Sequence, residues 1–96
     1  MALIDDVKTA LRITSSAFDS EINDIIAAAK DDLLLSGIDS GALESPDPLV
    51  KRAILLYCKA GFGLDNPDSE KYMASFRSLE THLALSTEYQ GAEDVS

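Results

Sequence analysis

Residues 46–63 read Pro46-Asp47-Pro48-Leu49-Val50-Lys51-Arg52-Ala53-Ile54-Leu55-Leu56-Tyr57-Cys58-Lys59-Ala60-Gly61-Phe62-Gly63. Asp47 followed by Pro48 is a helix start. An aspartate at the cap accepts from free backbone N–H groups, and a proline in first position gives up an N–H that has no partner there. The helix runs from there to about Ala60 or Phe62. Leu49, Val50, Ala53, Ile54, Leu56, Tyr57 and Ala60 make a broad apolar face, and Leu55, Cys58 and Phe62 extend it onto the opposite side. A helix that is apolar nearly all round has to be buried at the centre of its domain or covered on its second face by another subunit. Its charges are Lys51, Arg52 and Lys59, all basic, a local reversal in an acidic chain.

The flanking segments carry the helical period more plainly. Downstream, Asn66-Pro67 repeats the cap-and-proline start, with Asp68 and Glu70 in the first turn, where negative charge is favoured. Tyr72, Met73, Phe76, Leu79 and Leu83 then share one face as far as Leu85, which lies off that stripe. Upstream, a helix from about Ala17 or Asp19 to Leu35 has Ile22, Ile25, Ile26, Ala29 and Leu33 as its stripe. Phe18 stands just before it, Asp19 is its expected cap and Gly37 its stop. Glu21, Asp24, Asp31 and Asp32 make its outer face strongly acidic. The first segment, Leu3 to Leu11, puts Leu3, Ile4, Val7, Ala10 and Leu11 on one side. Asp5 and Asp6 open it, Arg12 lies near its end, and Thr14-Ser15-Ser16 breaks the pattern. Residues 37–46 read as a loop, and no segment alternates with period two. The expected architecture is all-α: one domain over residues 1–85, a small bundle of four helices joined by short Gly/Pro/Asp turns. A flexible acidic tail is expected over residues 86–96.

Ninety-six residues suffice for one helical core and no more, and a 46% apolar share supplies it. Eight basic residues against seventeen acidic ones leave a formal charge of −9. That balance disfavours binding DNA by phosphate neutralisation or an anionic membrane surface. It suits solubility, a basic protein partner, or a surface that DNA slides past without sticking. No apolar run reaches the length of a membrane span and the opening residues carry no basic leader, so synthesis in the cytoplasm is expected.

Residues able to do chemistry are few. His82 is the only histidine, and Ser78, Leu79, Leu85 and Ser86 occupy the helical positions from which a carboxylate would assist it. Cys58, the single cysteine, excludes an internal disulfide and reads as a small buried hydrophobe within Leu-Tyr-Cys-Lys-Ala. The acidic pairs Asp5-Asp6, Asp31-Asp32 and Glu93-Asp94 lie on solvated faces, where nothing drives two carboxyl pKa values apart. Asp39-Ser40-Gly41 lacks the rest of a calcium loop, and Gly61-Phe62-Gly63 lacks the strand and third glycine of a dinucleotide site. No catalytic, cofactor or metal site is expected. The apolar residues outside the stripes, Leu34, Leu35, Leu55, Phe62 and Leu85, are either core filler or a subunit interface.

The order of these pieces resembles a known family. Leu3-Ile4-Asp5-Asp6-Val7-Lys8-Thr9-Ala10-Leu11-Arg12-Ile13 is followed by Phe18-Asp19-Ser20-Glu21-Ile22 and Ile25-Ile26-Ala27-Ala28-Ala29-Lys30. Then come the Ser36-Gly37-Ile38 turn, Asp47-Pro48-Leu49-Val50, Tyr57-Cys58-Lys59, Asn66-Pro67, and Tyr72, Phe76, Ser78 and Leu79. From Ala2 to Leu85 this looks like the tailed-phage head–tail connector family, often labelled DNA-packaging adaptors. The shared motifs are hydrophobic spacing and turn residues, with no chemical signature.

The resemblance implies a structural virion protein at the head–tail interface. It implies a ring of roughly twelve subunits beneath the portal that extends the DNA channel. Its partners would be its own copies, the portal protein and a tail-side stopper or tail-completion protein, with DNA passing and no membrane involved. On that reading Leu34, Leu35, Leu55, Phe62 and Leu85, with Lys51, Arg52 and Lys59, are candidate interface residues. Glu21, Asp24, Asp31 and Asp32 are candidates to face the channel, and the tail would order on docking to the portal. The alternative from composition is a monomeric acidic helical module that masks a basic protein. A helical DNA-binding regulator is disfavoured, because no helix carries a basic face with base-reading residues.

Overall fold

A computed structural model describes residues 3–44, 46–62 and 66–85, and the expected tail lies outside the described residues. Five helices occur among the described residues, and they contain no strand: α1 (Leu3–Leu11), α2 (Asp19–Leu35), α3 (Ser40–Glu44), α4 (Pro48–Gly61) and α5 (Ser69–Leu85). The all-α expectation holds, while the count of four becomes five. The helix with apolar residues on both sides, α4, is the central one and packs on α5, α2 and α1. The start of α2 meets the end of α4, where Phe18 stands edge-on to Phe62 with ring centroids 5.6 Å apart. α5 returns antiparallel along the other flank of α4, bringing Tyr57 edge-on to Phe76 at 5.0 Å. Val7, Ile22, Leu33, Ile38, Val50, Ile54, Cys58 and Phe76 fill the space between.

Asp47 caps α4 as its sequence predicts. Its Oδ1 accepts from the N–H groups of Leu49 and Val50 at 3.1 and 3.0 Å, with Pro48 in the first turn. At the other end of α4 the expected roles change. Asn66 does not cap α5, which begins at Ser69. Its Nδ2 donates back to the carbonyls of Lys59 at 2.6 Å and Phe62 at 3.4 Å, while Ser69 Oγ donates to Ala60 O at 2.7 Å. Carbonyls left open by the end of α4 thus take donors from the start of α5. Asp19 is likewise not a cap. The cap position of α2 is Phe18, which makes no side-chain hydrogen bond, and Asp19 pairs with Lys8 of α1 at 2.8 Å. A second ion pair, Lys51 with Asp6 at 3.0 Å, ties α4 to α1.

The extra helix lies in the stretch read as a loop. Asp39 Oδ2 accepts from Gly41 N–H at 3.1 Å and starts α3. Ile38 before that cap and Leu43 in the next turn are both buried in the main core. An apolar residue on each side of a capping aspartate is a hydrophobic staple, a signal present in the sequence but carried by only five residues.

Two helices end in the same way. In α2, Gly37 adopts φ 100°, and the N–H groups of Gly37 and Ile38 donate to Leu34 and Leu33 carbonyls. In α1, the N–H groups of Arg12 and Ile13 donate to Thr9 and Lys8 carbonyls, and Arg12 holds the left-handed position at φ 62°. This is the Schellman arrangement, with arginine where glycine is preferred. Arg12 is thus the turn residue beyond α1, not a member of its last turn. Arg12→Gly is therefore expected to raise stability by about 1 kcal/mol, through relief of left-handed strain. Urea unfolding of the variant beside the parent checks this, and an unchanged or lower midpoint means the arginine side chain contributes more than its backbone costs.

Candidate assembly surfaces

α2 and α5 both run antiparallel to α4, so they run parallel to each other on its two flanks. Their facing sides meet in a polar cluster. Arg77 Nη1 donates to Asp32 Oδ1 at 2.8 Å and to Glu80 Oε1 at 2.9 Å, and Ser36 Oγ donates to Glu80 Oε2 at 2.7 Å. Glu80 is buried, and the Arg77 guanidinium also lies over the Phe76 ring, 5.3 Å from its centroid. Burial opposes the charge on Asp32. The hydrogen bond from Arg77, a hydrogen bond with Glu80 and the Arg77 charge outweigh it, leaving the carboxyl below its ordinary range. The same bonds to Asp32 and Glu80 hold the guanidinium more firmly protonated than usual. A buried carboxylate without this network would be costly, so the cluster fixes the register of α2 against α5.

That register sets both helix C-termini at one end of the domain, and the antiparallel α4 begins at the same end. Leu34 (49% exposed) and Leu35 (89%) lie in the last turn of α2, Leu85 (74%) in the last described turn of α5 and Leu49 (50%) in the first turn of α4. The sequence pattern assigns Leu49 to the core face. It stands in the first turn of α4, at the open groove between α4 and α5, and is half exposed there. Leu55 and Phe62 differ from the other three residues outside the stripes, because both are half-buried against the core. The large exposed hydrophobic at the opposite end, Phe18, is partnered by Phe62.

The basic residues of α4 also separate. Lys51 is paired with Asp6, and Lys59 Nζ lies over the Tyr72 ring, 5.4 Å from its centroid. Arg52 is exposed and makes no ion pair among the described residues. It stands on the rim of a groove of about 360 Å³ between α4 and α5. Leu49, Leu56 and Leu79 line that groove, with Ser75, Ser78 and His82 on the α5 side. Of the acidic set on α2, Glu21, Asp24 and Asp31 are exposed on the outer face, whereas Asp32 turns to Arg77. The sequence shows four carboxylates at helical spacing. It gives no sign that Arg77, forty-five positions away, withdraws one of them.

Cys58 is buried, and burial pushes its thiol up to about 12. It is therefore protonated near neutral pH and shielded from reagents. Among the described residues, no group of three or more His, Cys, Asp or Glu is gathered that could hold a metal ion, and no helix is long and apolar enough to cross a membrane.

A comparison with family models matches residues 3–90 to the family described as phage connector protein. No match is found among curated proteins or solved structures.

Two outcomes test this geometry. The folded pKa of Asp32 lies below its ordinary 3.8. Its stabilising contribution is therefore complete above the unfolded value and is lost as pH falls through the folded one. Arg77→Leu is expected to cost about 1–3 kcal/mol near neutral pH and less in acid. Urea unfolding of parent and variant from about pH 6 down to about pH 3 reads this, and a penalty independent of pH removes Asp32 from the cluster's energetics. Cys58 is expected to resist a thiol reagent in the native protein and react at once in denaturant, and rapid native labelling contradicts its burial.

Proposed function

We propose for this chain, which belongs to the phage connector protein family, the role of a head–tail adaptor whose copies form a ring beneath the portal and continue the DNA channel towards the tail. The family is structural and its members are virion components that meet other head and tail proteins. The finer role is supported above all by the exposed Leu34, Leu35, Leu49 and Leu85, which the order of the helices puts towards the same end of the domain. A small monomer has no use for several large apolar side chains at one pole, whereas an assembly covers them. On this reading the leucine end meets a neighbouring copy or the portal. Glu21, Asp24 and Asp31 on the outer face of α2 then give DNA a surface that repels its phosphates. A tail-side stopper or completion protein would take the opposite end of the ring.

Native mass spectrometry of the chain alone and with a purified portal ring tests the role. A ring of roughly a dozen copies, free or on the portal, is the expected result. A monomer that ignores the portal at high concentration overturns it and favours the reading as an acidic module that masks a basic protein. In the same assay Leu35→Asp is expected to abolish assembly while leaving the helical circular dichroism unchanged, since Leu35 is almost fully exposed. Normal assembly of that variant removes the leucine end from the interface.

A further inference from the structure

The last turn of α2 is held by residues that α2 does not supply. A helix C-terminus favours cations and disfavours anions, because open carbonyls gather there. Residues 31–35 read Asp31-Asp32-Leu33-Leu34-Leu35, two carboxylates with no basic residue in the last turn. Lys30, the one basic residue of the helix, lies before them. Burial gives little help, since Leu33 is enclosed while Leu34 is 49% and Leu35 89% exposed. The N–H groups of Gly37 and Ile38 close two of the carbonyls but bring no charge. Left to its own residues, such a turn frays.

The missing cation comes from α5. Arg77 Nη1 lies 2.8 Å from Asp32 Oδ1, and the same nitrogen reaches Glu80 Oε1 at 2.9 Å. The other oxygen of Glu80 accepts from Ser36 Oγ at 2.7 Å, and Ser36 is the C-cap of α2. Asp32 and Ser36 stand four positions apart, so both face α5 and bracket the turn between them. Leu34, two positions from Asp32, is thereby turned to the opposite side, and Leu35 is carried outwards with it. The guanidinium is itself steadied by the Phe76 ring, 5.3 Å away, and Phe76 is fully buried. We propose, on the premise that assembly covers Leu34 and Leu35, that Arg77 is the positioning residue for that surface. It serves as the C-terminal cation of a helix to which it does not belong. Beyond fixing the register of the two helices, it keeps formed the turn that carries the leucines. A frayed turn presents no fixed pair of leucines to a partner.

Native hydrogen exchange by NMR, with native mass spectrometry of the full chain on a purified portal ring, tests this. Arg77→Gln removes the charge but keeps a hydrogen-bond donor. It is expected to speed amide exchange at residues 34–38 about three- to tenfold. The amides of Ile26 and Ala29, in the middle of the same helix, are expected to stay within about twofold of the parent. The concentration needed for assembly is expected to rise severalfold, because each copy must present the turn. Arg77→Lys, which keeps a cation, is expected to recover most of both losses. Ser36→Ala breaks the Glu80 tie alone and is expected to speed the same amides by a smaller factor. Exchange raised equally along all of α2 overturns the positioning role, and so does Arg77→Lys behaving as Arg77→Gln. A parent that does not assemble overturns the premise with it. A parent that assembles beside an equally competent Arg77→Gln overturns the positioning role alone.

Discussion

The burial of α4 is the constraint on which the rest of the structure depends. A fourteen-residue helix with large apolar side chains on nearly all sides cannot lie on the surface of a monomer, so other helices must cover it. α2 and α5 take its two flanks and α1 also packs on it. Once two helices lie antiparallel to the same third helix, they are parallel to each other. The Asp32–Arg77–Glu80–Ser36 cluster can then form between them, and their C-termini come to the same end of the domain. The leucine end and the acidic outer face of α2 both follow from that arrangement.

The ends of the helices matter as much as their faces, because short helices leave a large share of their backbone groups open. Asp47 closes the start of α4, while side chains from the next segment, Asn66 and Ser69, supply donors at its end. The junction between α4 and α5 is thereby tied at its base, which favours α5 returning along α4. The two Schellman ends turn the chain out of α1 and α2 by the same geometry, one with the favoured glycine and one with arginine. The repeated motif with unequal residues marks Arg12 as a place where the fold holds local strain.

The surface divides into regions of different chemistry. One end is apolar, the outer face of α2 is acidic, and the α4–α5 groove combines an apolar floor with a cationic rim. This division suits a connector, a protein that meets other phage head and tail proteins. The chemistry of the chain points the same way: its one thiol is buried and protonated, its one histidine sits at the edge of the groove, and the buried carboxylate of Glu80 is occupied in holding two helices together.

Much of this was legible in the sequence, because helical periodicity and local caps are short-range properties. The bounds of α1, the start at Asp47-Pro48, the stop at Gly37 and the central place of α4 follow from residues within a few positions of one another. The order of those pieces along the chain also carries the family. What the tertiary structure alone decided are pairings between distant residues and the exposure that results from them. Asp32 looked like one of four equivalent acidic residues until Arg77 claimed it, and Lys51 looked like a free cation until Asp6 neutralised it. Leu55 and Phe62 were indistinguishable by pattern from Leu34, Leu35 and Leu85, yet two serve the core and three reach solvent. A helical pattern reports which way a side chain points from its own axis. What lies in that direction depends on how the axes pack, and only the assembled tertiary structure contains that information.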